Sequence, residues 1–238
     1  MRFRLSVFTL ACGALAGLAY SQQPPAPAAT PEQIQELTAL VDKLKALIQA
    51  GELTEASSQL STLSASIYKI TMPVLPTPQQ QLERMEKSLR NDTATRFSTN
   101  WMLAQLALDA GQLEKAEDYA KDLLALAPRF MNSTGYGDAL HHGNLMIGRV
   151  ALQRDHNLYL AKSSLMAAAA VPTTPILQKY GPNMALARDL LAAGERDTVL
   201  QYLAMCRSIW TEGQKKLDDW TALIQAGGIP NFGANLIN

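Results

Sequence analysis

A seven-residue pattern, A-G-x-L-x-x-A, constrains the fold of this chain more than any other feature. It occurs at 50–56 and again at 110–116. In each copy the glycine allows the left-handed backbone that ends one helix. The leucine then begins the next helix, and the small final alanine lets the two helices approach closely. Each copy therefore predicts a tight turn between two antiparallel helices.

Apolar residues at helical spacing flank these turns and predict helices whose apolar stripes are buried. The stripes around the first turn are Ile34, Leu37, Val41, Leu44 and Ile48, then Leu53, Ala56, Leu60, Leu63 and Ile67. Later helices are predicted over 79–89, 138–153, 158–170, 183–193, 196–210 and 214–226, with a pair of helices around Gly111. Proline-rich breaks lie at 71–78 and 171–175. Because no segment alternates apolar and polar residues, the sequence predicts an all-α fold.

Composition agrees with a helical globular protein and excludes two classes. Hydrophobic residues make up 47% of the 238 positions, which is too many for a disordered chain. The 21 basic and 21 acidic residues cancel, so there is no net basic field for gripping nucleic acid. Alanine and leucine are abundant, and both favour helices. We therefore expect no nucleic-acid partner.

The N-terminal residues 1–21 have the features of a secretory signal peptide. Arg2 and Arg4 precede an apolar stretch over 5–20, and Ala19 and Ser21 supply the small residues that a signal peptidase recognises. We expect cleavage after Ser21 or after Ala19. A retained anchor is the alternative, although the stretch is shorter than the roughly 20 residues that span hydrocarbon. The chain is thus expected to be exported, to a periplasm or outside the cell, with no integral membrane span after cleavage.

The remainder divides into three parts. Residues 22–31 form a linker rich in proline and alanine, which predicts a stiff, extended tether. Residues 32–226 form the helical domain, and residues 227–238 form a tail rich in glycine and asparagine. After signal cleavage Cys206 is the one cysteine left, so an intramolecular disulfide is excluded. In step with Val199, Leu203 and Trp210, it is predicted to be buried.

The second turn and its flanks resemble the tetratricopeptide repeat (TPR), a 34-residue helical hairpin. With Pro128 as the closing proline, several residues fall on signature positions of the repeat: Leu103, Ala104, Gly111, Leu113 and Ala116. Trp101 falls one place late, and Ala107 replaces a large aromatic residue. Shorter matches occur at Ile147-Gly148 with Ala151, where Asp155-His156 replaces the turn glycine, and at Leu186, Ala187 and Gly194. The resemblance implies degenerate antiparallel hairpins stacked as a short right-handed solenoid.

The C-terminal half, about 137–238, also resembles an uncharacterised family of exported bacterial TPR-like proteins. The matching residues are His142-Gly143-Asn144, Gly181-Pro182-Asn183-Met184, Trp210, Trp220 and the tail Ile229-Pro230-Asn231-Phe232-Gly233-Ala234-Asn235-Leu236. This resemblance implies a fold and a bacterial source, but no reaction. A purely structural role is a further alternative, in which the tail at 232–236 docks on the last helix and caps the solenoid.

The TPR resemblance implies a binding surface. In TPR folds the first helix of each pair lines a concave groove that takes an extended peptide or a partner helix. Transferring those positions gives a candidate groove of Lys45, Gln49, Trp101, Gln105, Asp109, His142, Arg149 and Arg188. Arg149 and Arg188 are suited to binding a carboxylate, although ordinary solvated charges are an equal interpretation. The asparagines of TPR carboxylate clamps are absent, because Trp101, Leu145 and Met184 occupy that helical position.

A second group of residues, Asp138, His141 and His142, is the only one that resembles a metal or acid–base site. Asp138 and His142 are four residues apart and share one helix face, whereas His141 points about 100° away from His142. Two ligands are too few for a zinc site. The alternative roles are structural: Asp138 caps its helix and one histidine forms a hydrogen bond in the groove.

No nucleophile elbow, metalloprotease, phosphate-loop or paired-cysteine motif occurs in the sequence. The sequence therefore predicts a non-catalytic module that binds or scaffolds a protein or peptide partner in the cell envelope, with no cofactor and no metal. A hydrolase or metal-binding protein centred on Asp138 and His142 is the alternative.

Overall fold

The computed structural model describes residues 29–71 and 75–237, and every regular element in those ranges is a helix. The all-α prediction is thus confirmed for this part of the chain. The predicted signal peptide and most of the predicted linker lie outside it. The α-helices are α1 Pro31–Ala50, α2 Leu53–Thr71, α3 Pro78–Ser88, α4 Thr93–Asp109, α5 Leu113–Leu126, α6 Tyr136–Asp155, α7 Leu158–Ala169, α8 Pro175–Tyr180, α9 Ala185–Ala192, α10 Arg196–Cys206 and α11 Gln214–Gln225. Short 3-10 helices occur at Ala127–Phe130, Thr211–Gly213 and Gly233–Leu236.

The chain divides into two compact units, one ending at Leu75 and the other beginning at Pro76. The first unit contains α1 and α2, and the second contains α3 to α11. Among the residues described, no helix combines the length and the apolar character that crossing a bilayer requires. The prediction of no integral membrane span agrees with this.

The first unit is a helical hairpin with well-formed ends. Thr30 caps α1 by accepting the backbone N–H of Gln33, whose side chain accepts the N–H of Thr30 in return. The helix therefore begins at Pro31, the last residue that the sequence analysis assigned to the linker. Gly51 ends α1 with a left-handed φ of 77°. The first A-G-x-L-x-x-A segment forms the predicted turn.

The two apolar stripes of this hairpin are only partly buried, contrary to the sequence prediction. Ala56 and Leu63 are buried. However, α1 contains no buried residue, and Leu53 and Leu60 are exposed. The reason is geometric: a helix that contacts one neighbour buries one row of side chains, and the second row of a wide stripe remains outside.

The turns of the second unit also form as predicted. Gly111 and Gly194 have φ values of 75° and 87°, and a Cβ on either glycine would meet no neighbouring atom. Glycine is therefore favoured there by backbone conformation and not by space. His156, at the position where the repeat pattern lacks its glycine, adopts φ 49°. Ala116, after the second turn, is completely buried.

Consecutive helices of the second unit pack in pairs, α4 with α5, α6 with α7, and α9 with α10. Several bounds differ from the sequence prediction, and α6 extends two residues further at each end. Helix α9 begins at Ala185, because the side chain of Asn183 accepts the Ala185 N–H. Helix α10 ends at Cys206, before Trp210. Helix α8 was not predicted, although Thr174 caps it and a proline begins it.

The largest hydrophobic cluster is formed by residues from α6 through to the C-terminal tail. Trp210 is at its centre, and a Cβ on Gly181 or on Gly213 would meet its ring at 2.5 or 2.0 Å. Trp210 therefore packs directly on bare backbone. Trp220 contacts it with ring centroids 5.6 Å apart, and Phe232 of the tail packs edge-on against Trp220 at 4.9 Å. The tail thus docks on the last helix, as the structural alternative expects.

Candidate binding cleft

A cleft of about 220 Å³ lies where the first helices of three pairs, α4, α6 and α9, come together. Its lining residues are Trp101, Gln105, Asp109, His142, Met146, Arg149, Asn183, Ala185, Arg188, Leu236 and Ile237. Six of the residues predicted for a groove are in this set: Trp101, Gln105, Asp109, His142, Arg149 and Arg188. The structure thus brings together side chains that are up to 87 positions apart in the sequence.

Helical spacing explains this convergence. On α4 the lining residues Trp101, Gln105 and Asp109 follow one another at intervals of four, so they form one row along the helix. On α6 the row is His142, Met146 and Arg149, at intervals of four and three. Neighbouring positions on the same helices, Ala104 and Val150, are buried in a core cluster that also contains Met146. The cleft is therefore lined by rows at the edge of the core, with Met146 shared between the two.

An aromatic platform forms one part of the cleft. The rings of Trp101 and His142 are stacked, with centroids 5.0 Å apart and planes 26° from parallel. Burial lowers the pKa of His142 to about 3, and the neighbouring His141 lowers it further. The imidazole is therefore neutral at physiological pH. A flat, uncharged surface of this kind suits an apolar or aromatic group.

A chain of polar contacts forms the other part. The side-chain amide of Gln105 donates to the Asp109 carboxylate at 2.8 Å. Arg149 in turn donates to the side-chain oxygen Oε1 of Gln105 at 3.3 Å. Arg149 also pairs with Asp189 at 3.3 Å, and Arg188 pairs with the other oxygen of the same carboxylate at 3.1 Å. Two arginines thus share one aspartate. Asp109, at the other end of the chain of contacts, supplies the second negative charge of the cleft, so an anion would be held by the exposed guanidinium of Arg188 and not by a net positive charge.

The two arginines differ in availability, a distinction that the sequence did not predict. The side chain of Arg149 is 12% exposed and is held by Asp189 and Gln105. The side chain of Arg188 is 46% exposed and contacts Asp189 along one edge. A carboxylate entering the cleft would therefore bind Arg188 first, while Arg149 positions the aspartate behind it. The two are not an equivalent pair of clamp residues.

Lys45 and Gln49 are not among the residues that line this cleft. Both are exposed on α1, in the first compact unit, whereas the cleft is formed within the second. Lys45 pairs with Asp42 on its own helix at 3.4 Å. The repeat positions that suggested them belong to a hairpin that is a separate compact body.

Sequence reasoning missed five lining residues: Met146, Asn183, Ala185, Leu236 and Ile237. Asn183 joins the cleft to the tail, because its side chain donates to the Leu236 carbonyl oxygen at 3.4 Å and its backbone oxygen accepts the Tyr202 hydroxyl at 3.1 Å. Asn183 belongs to the Gly181-Pro182-Asn183-Met184 segment, which the sequence analysis singled out without assigning it to the groove. The described tail residues Leu236 and Ile237 form a wall of the cleft.

Asp138, His141 and His142 make different contacts. Asp138 lies within the first turn of α6 and does not cap it; its carboxylate accepts the Thr174 hydroxyl at 2.6 Å, and burial raises its pKa. His141 is completely buried, His142 faces the cleft, and their rings meet edge-on. Among residues 29–71 and 75–237, no group of three or more histidine, cysteine, aspartate or glutamate side chains is arranged to hold a metal.

A larger depression, of about 580 Å³, lies on the other side of α4, between α3, α4 and α5. Most of its charged groups are already paired. Arg96 binds Asp122, while Glu86 binds Lys115 at 2.8 Å and the Tyr119 hydroxyl at 2.6 Å. These contacts join the three helices, so we assign this surface a structural role.

No family model matches this chain, and no curated protein or solved structure matches it either.

Proposed function

We propose that this protein is a non-catalytic binding module that recognises a segment of a partner protein through the cleft between α4, α6 and α9. The single observation that carries the proposal is the meeting of six groove candidates, from three successive first helices, around one concave surface. Packed helix pairs present surfaces of this kind to partners without any chemistry of their own.

The dimensions of the cleft favour a side chain of a protein over a separate small molecule. A volume of about 220 Å³ is below the roughly 300–1,000 Å³ of sites that enclose a drug-sized ligand or cofactor. A half-buried tryptophan and an exposed arginine line the cleft, and both residue types are enriched at the hot spots of protein interfaces. The proposed ligand is therefore an extended peptide that places one apolar or aromatic group on Trp101 and one carboxylate on Arg188.

We propose in addition that the helix pairs are degenerate TPR-like hairpins, stacked with the right-handed sense of that fold, and that the protein scaffolds other proteins in a bacterial cell envelope. The left-handed turn residues Gly51, Gly111 and Gly194 support the repeat proposal. Export depends on the signal-like sequence at 1–21, which lies outside the described residues.

A pull-down from cell-envelope extract at physiological salt tests the binding proposal. We expect the unmodified protein to capture a partner that Arg188→Glu and Trp101→Ala lose, because one removes the anion site and the other the platform. Arg129→Glu is the matched control, since Arg129 is exposed and lies outside the cleft. Circular dichroism establishes that each variant is folded. Capture of the same set of proteins by all four forms would refute the cleft proposal.

The alternative function, a hydrolase or metal-binding protein at Asp138 and His142, is tested separately. Elemental analysis of purified protein for zinc, iron and copper at stoichiometric level would favour it. No contact in the described residues does so, because Asp138 bonds to Thr174 and His142 stacks on Trp101.

A further inference from the structure

The α1–α2 hairpin has an apolar surface that its own two helices leave uncovered. Ile34 and Ile48 on α1 are each 55% exposed, and Leu53 and Leu60 on α2 are 70% and 52% exposed. Single exposed leucines are ordinary, but four large aliphatic side chains on one small hairpin need an explanation. We call these four residues, with the half-buried Val41, the hairpin face.

The members of the hairpin face lie on the same side of the hairpin. On α1, Ile34, Val41 and Ile48 recur every seven residues, about 80° around the helix from the row that contacts α2. On α2, Leu53 and Leu60 recur every seven residues, about 60° from the buried row of Ala56 and Leu63, in the same rotational sense. Because the helices are antiparallel, similar rotations in the same sense place both rows on one side.

The charged residues of the hairpin lie on the side opposite the hairpin face. The residues on the opposite side of the two rows are charged: Glu32, Glu36 and Lys43 on α1, and Glu55 and Lys69 on α2. The flanks of the hairpin face carry small or uncharged residues such as Thr38, Ser57 and Ser64. Lys45 is the charged residue nearest to the face, and it pairs with Asp42. The hairpin is thus amphipathic as a whole.

We propose that the hairpin face is covered by the same face of a second copy of this chain, so that two hairpins form an antiparallel four-helix bundle. The apolar rows repeat every seven residues, which suits the shallow crossing angle of such bundles. Lys45 is the one charged side chain beside the face, and its ion pair with Asp42 limits the like-charge repulsion between two-fold related copies. A strongly charged partner protein would not bind this face, because its side chains are aliphatic and offer no ion pair.

The size of the face is sufficient for a dimer. Helices of 20 and 19 residues are about 30 Å long, and two of them side by side are about 20 Å wide. Each copy would therefore bury about 600 Å², near the lower limit for stable interfaces, which bury about 1,200 Å² in total. The need for cover is independent of this estimate, since α1 buries no residue within its own hairpin and an isolated pair of helices lacks a core.

Analytical ultracentrifugation of the full chain tests this inference, which does not depend on the cleft or its ligand. We expect a species of twice the 25.9 kDa monomer mass at micromolar concentration. Leu60→Glu should raise the dimer dissociation constant at least about 100-fold, because the two-fold axis places two carboxylates in the apolar interface. Ser58→Glu is the matched control, with the same charge on the outer side of the same helix, and should remain dimeric.

A monomeric unmodified protein would overturn the proposal, and protection of the hairpin face from hydrogen exchange in that monomer would show that another part of the chain covers it. A dimer that persists in folded Leu60→Glu would also overturn it, since association would then involve a different surface. If Leu60→Glu loses helical signal, Ile34→Glu provides the same measurement at the start of α1, where the side chain is 55% exposed.

Discussion

The imidazole of His141 accepts the backbone N–H of Asn183 through Nε2, at 3.0 Å. The other ring nitrogen, Nδ1, lies 2.7 Å from the carbonyl oxygen of Ala168 and donates to it. The completely buried ring thereby joins α6 to the end of α7 and to the segment that precedes α9. Both contacts require one neutral tautomer, with the proton on Nδ1.

Stability should consequently fall as the pH falls below the ordinary histidine range. Burial lowers the pKa of His141 to about 4, against 6.5 for an unperturbed histidine. The unfolded chain therefore binds a proton between pH 6.5 and 4 that the folded chain does not, and this term destabilises the fold by roughly 3 kcal/mol at pH 4. Urea denaturation at pH 7, 5.5 and 4.5 measures the effect. His142, whose pKa is lowered as well, contributes in the same direction.

The matched variant for this prediction is His141→Gln, which does not titrate. It should be less stable than the unmodified protein at pH 7, because it does not reproduce both hydrogen bonds, but it should lose less stability between pH 7 and 4.5. An equal pH dependence in the two proteins would contradict the assignment to His141 and would leave His142 and the acidic residues with lowered pKa values as the cause.

Replacing Asn235 in the tail should destabilise the second unit. Its side-chain amide donates to the carbonyl oxygens of Tyr180 and Pro182 at 2.9 and 3.1 Å. Its backbone carbonyl oxygen accepts the Met184 N–H. Asn235→Ala removes both side-chain bonds at a buried position, which costs about 1–3 kcal/mol. Chemical denaturation measures the difference. Asn231→Ala, at an exposed position of the same tail, should change stability by no more than a few tenths of that amount.

Adding a methyl group at Gly213 should also be costly. Gly213 has φ −103°, which any residue adopts, yet a Cβ there would meet the buried Trp210 ring at 2.0 Å. Gly213→Ala should therefore destabilise the protein by about 1–3 kcal/mol through overpacking alone. Gly135→Ala is the control, because its φ is −93° and its Cβ would meet only the Ser133 hydroxyl at 3.9 Å. Comparable thermal midpoints for the two variants would contradict the close packing of Trp210.

The shared carboxylate of the cleft predicts unequal effects at neighbouring positions. Asp189→Ala leaves the mostly buried Arg149 without its ion pair, so we expect a loss of about 1–3 kcal/mol. Arg188→Ala removes a pair that is nearly half exposed and should cost less than about 1 kcal/mol. Denaturation of both variants at 0.15 M salt provides the comparison. A larger loss of stability for Arg188→Ala than for Asp189→Ala would contradict this prediction, because the more exposed pair would then contribute more than the ion pair of Arg149.

Local chemistry in the sequence determined much of this fold. Helix periodicity, the glycine turns and the burial of Cys206 follow from spacing and backbone preference, and the structure has them where they were expected. The groove candidates on α4, α6 and α9 were instead transferred from the TPR resemblance, whereas periodicity, turns and burial follow from the residues alone. These properties depend on residues a few positions apart, whose relations a helix imposes by its geometry.

Tertiary structure decided the rest. The sequence assigned Lys45 and Gln49 to the same groove as Trp101, yet they lie in the other compact unit. It treated Arg149 and Arg188 as equivalent, whereas their exposure differs because Asp189 and Gln105 enclose only one of them. It also gave Asp138 a capping role, while its carboxylate pairs with Thr174, 36 positions away. Burial, charge sharing and long-range hydrogen bonds depend on which elements meet, and one-dimensional spacing does not contain that information.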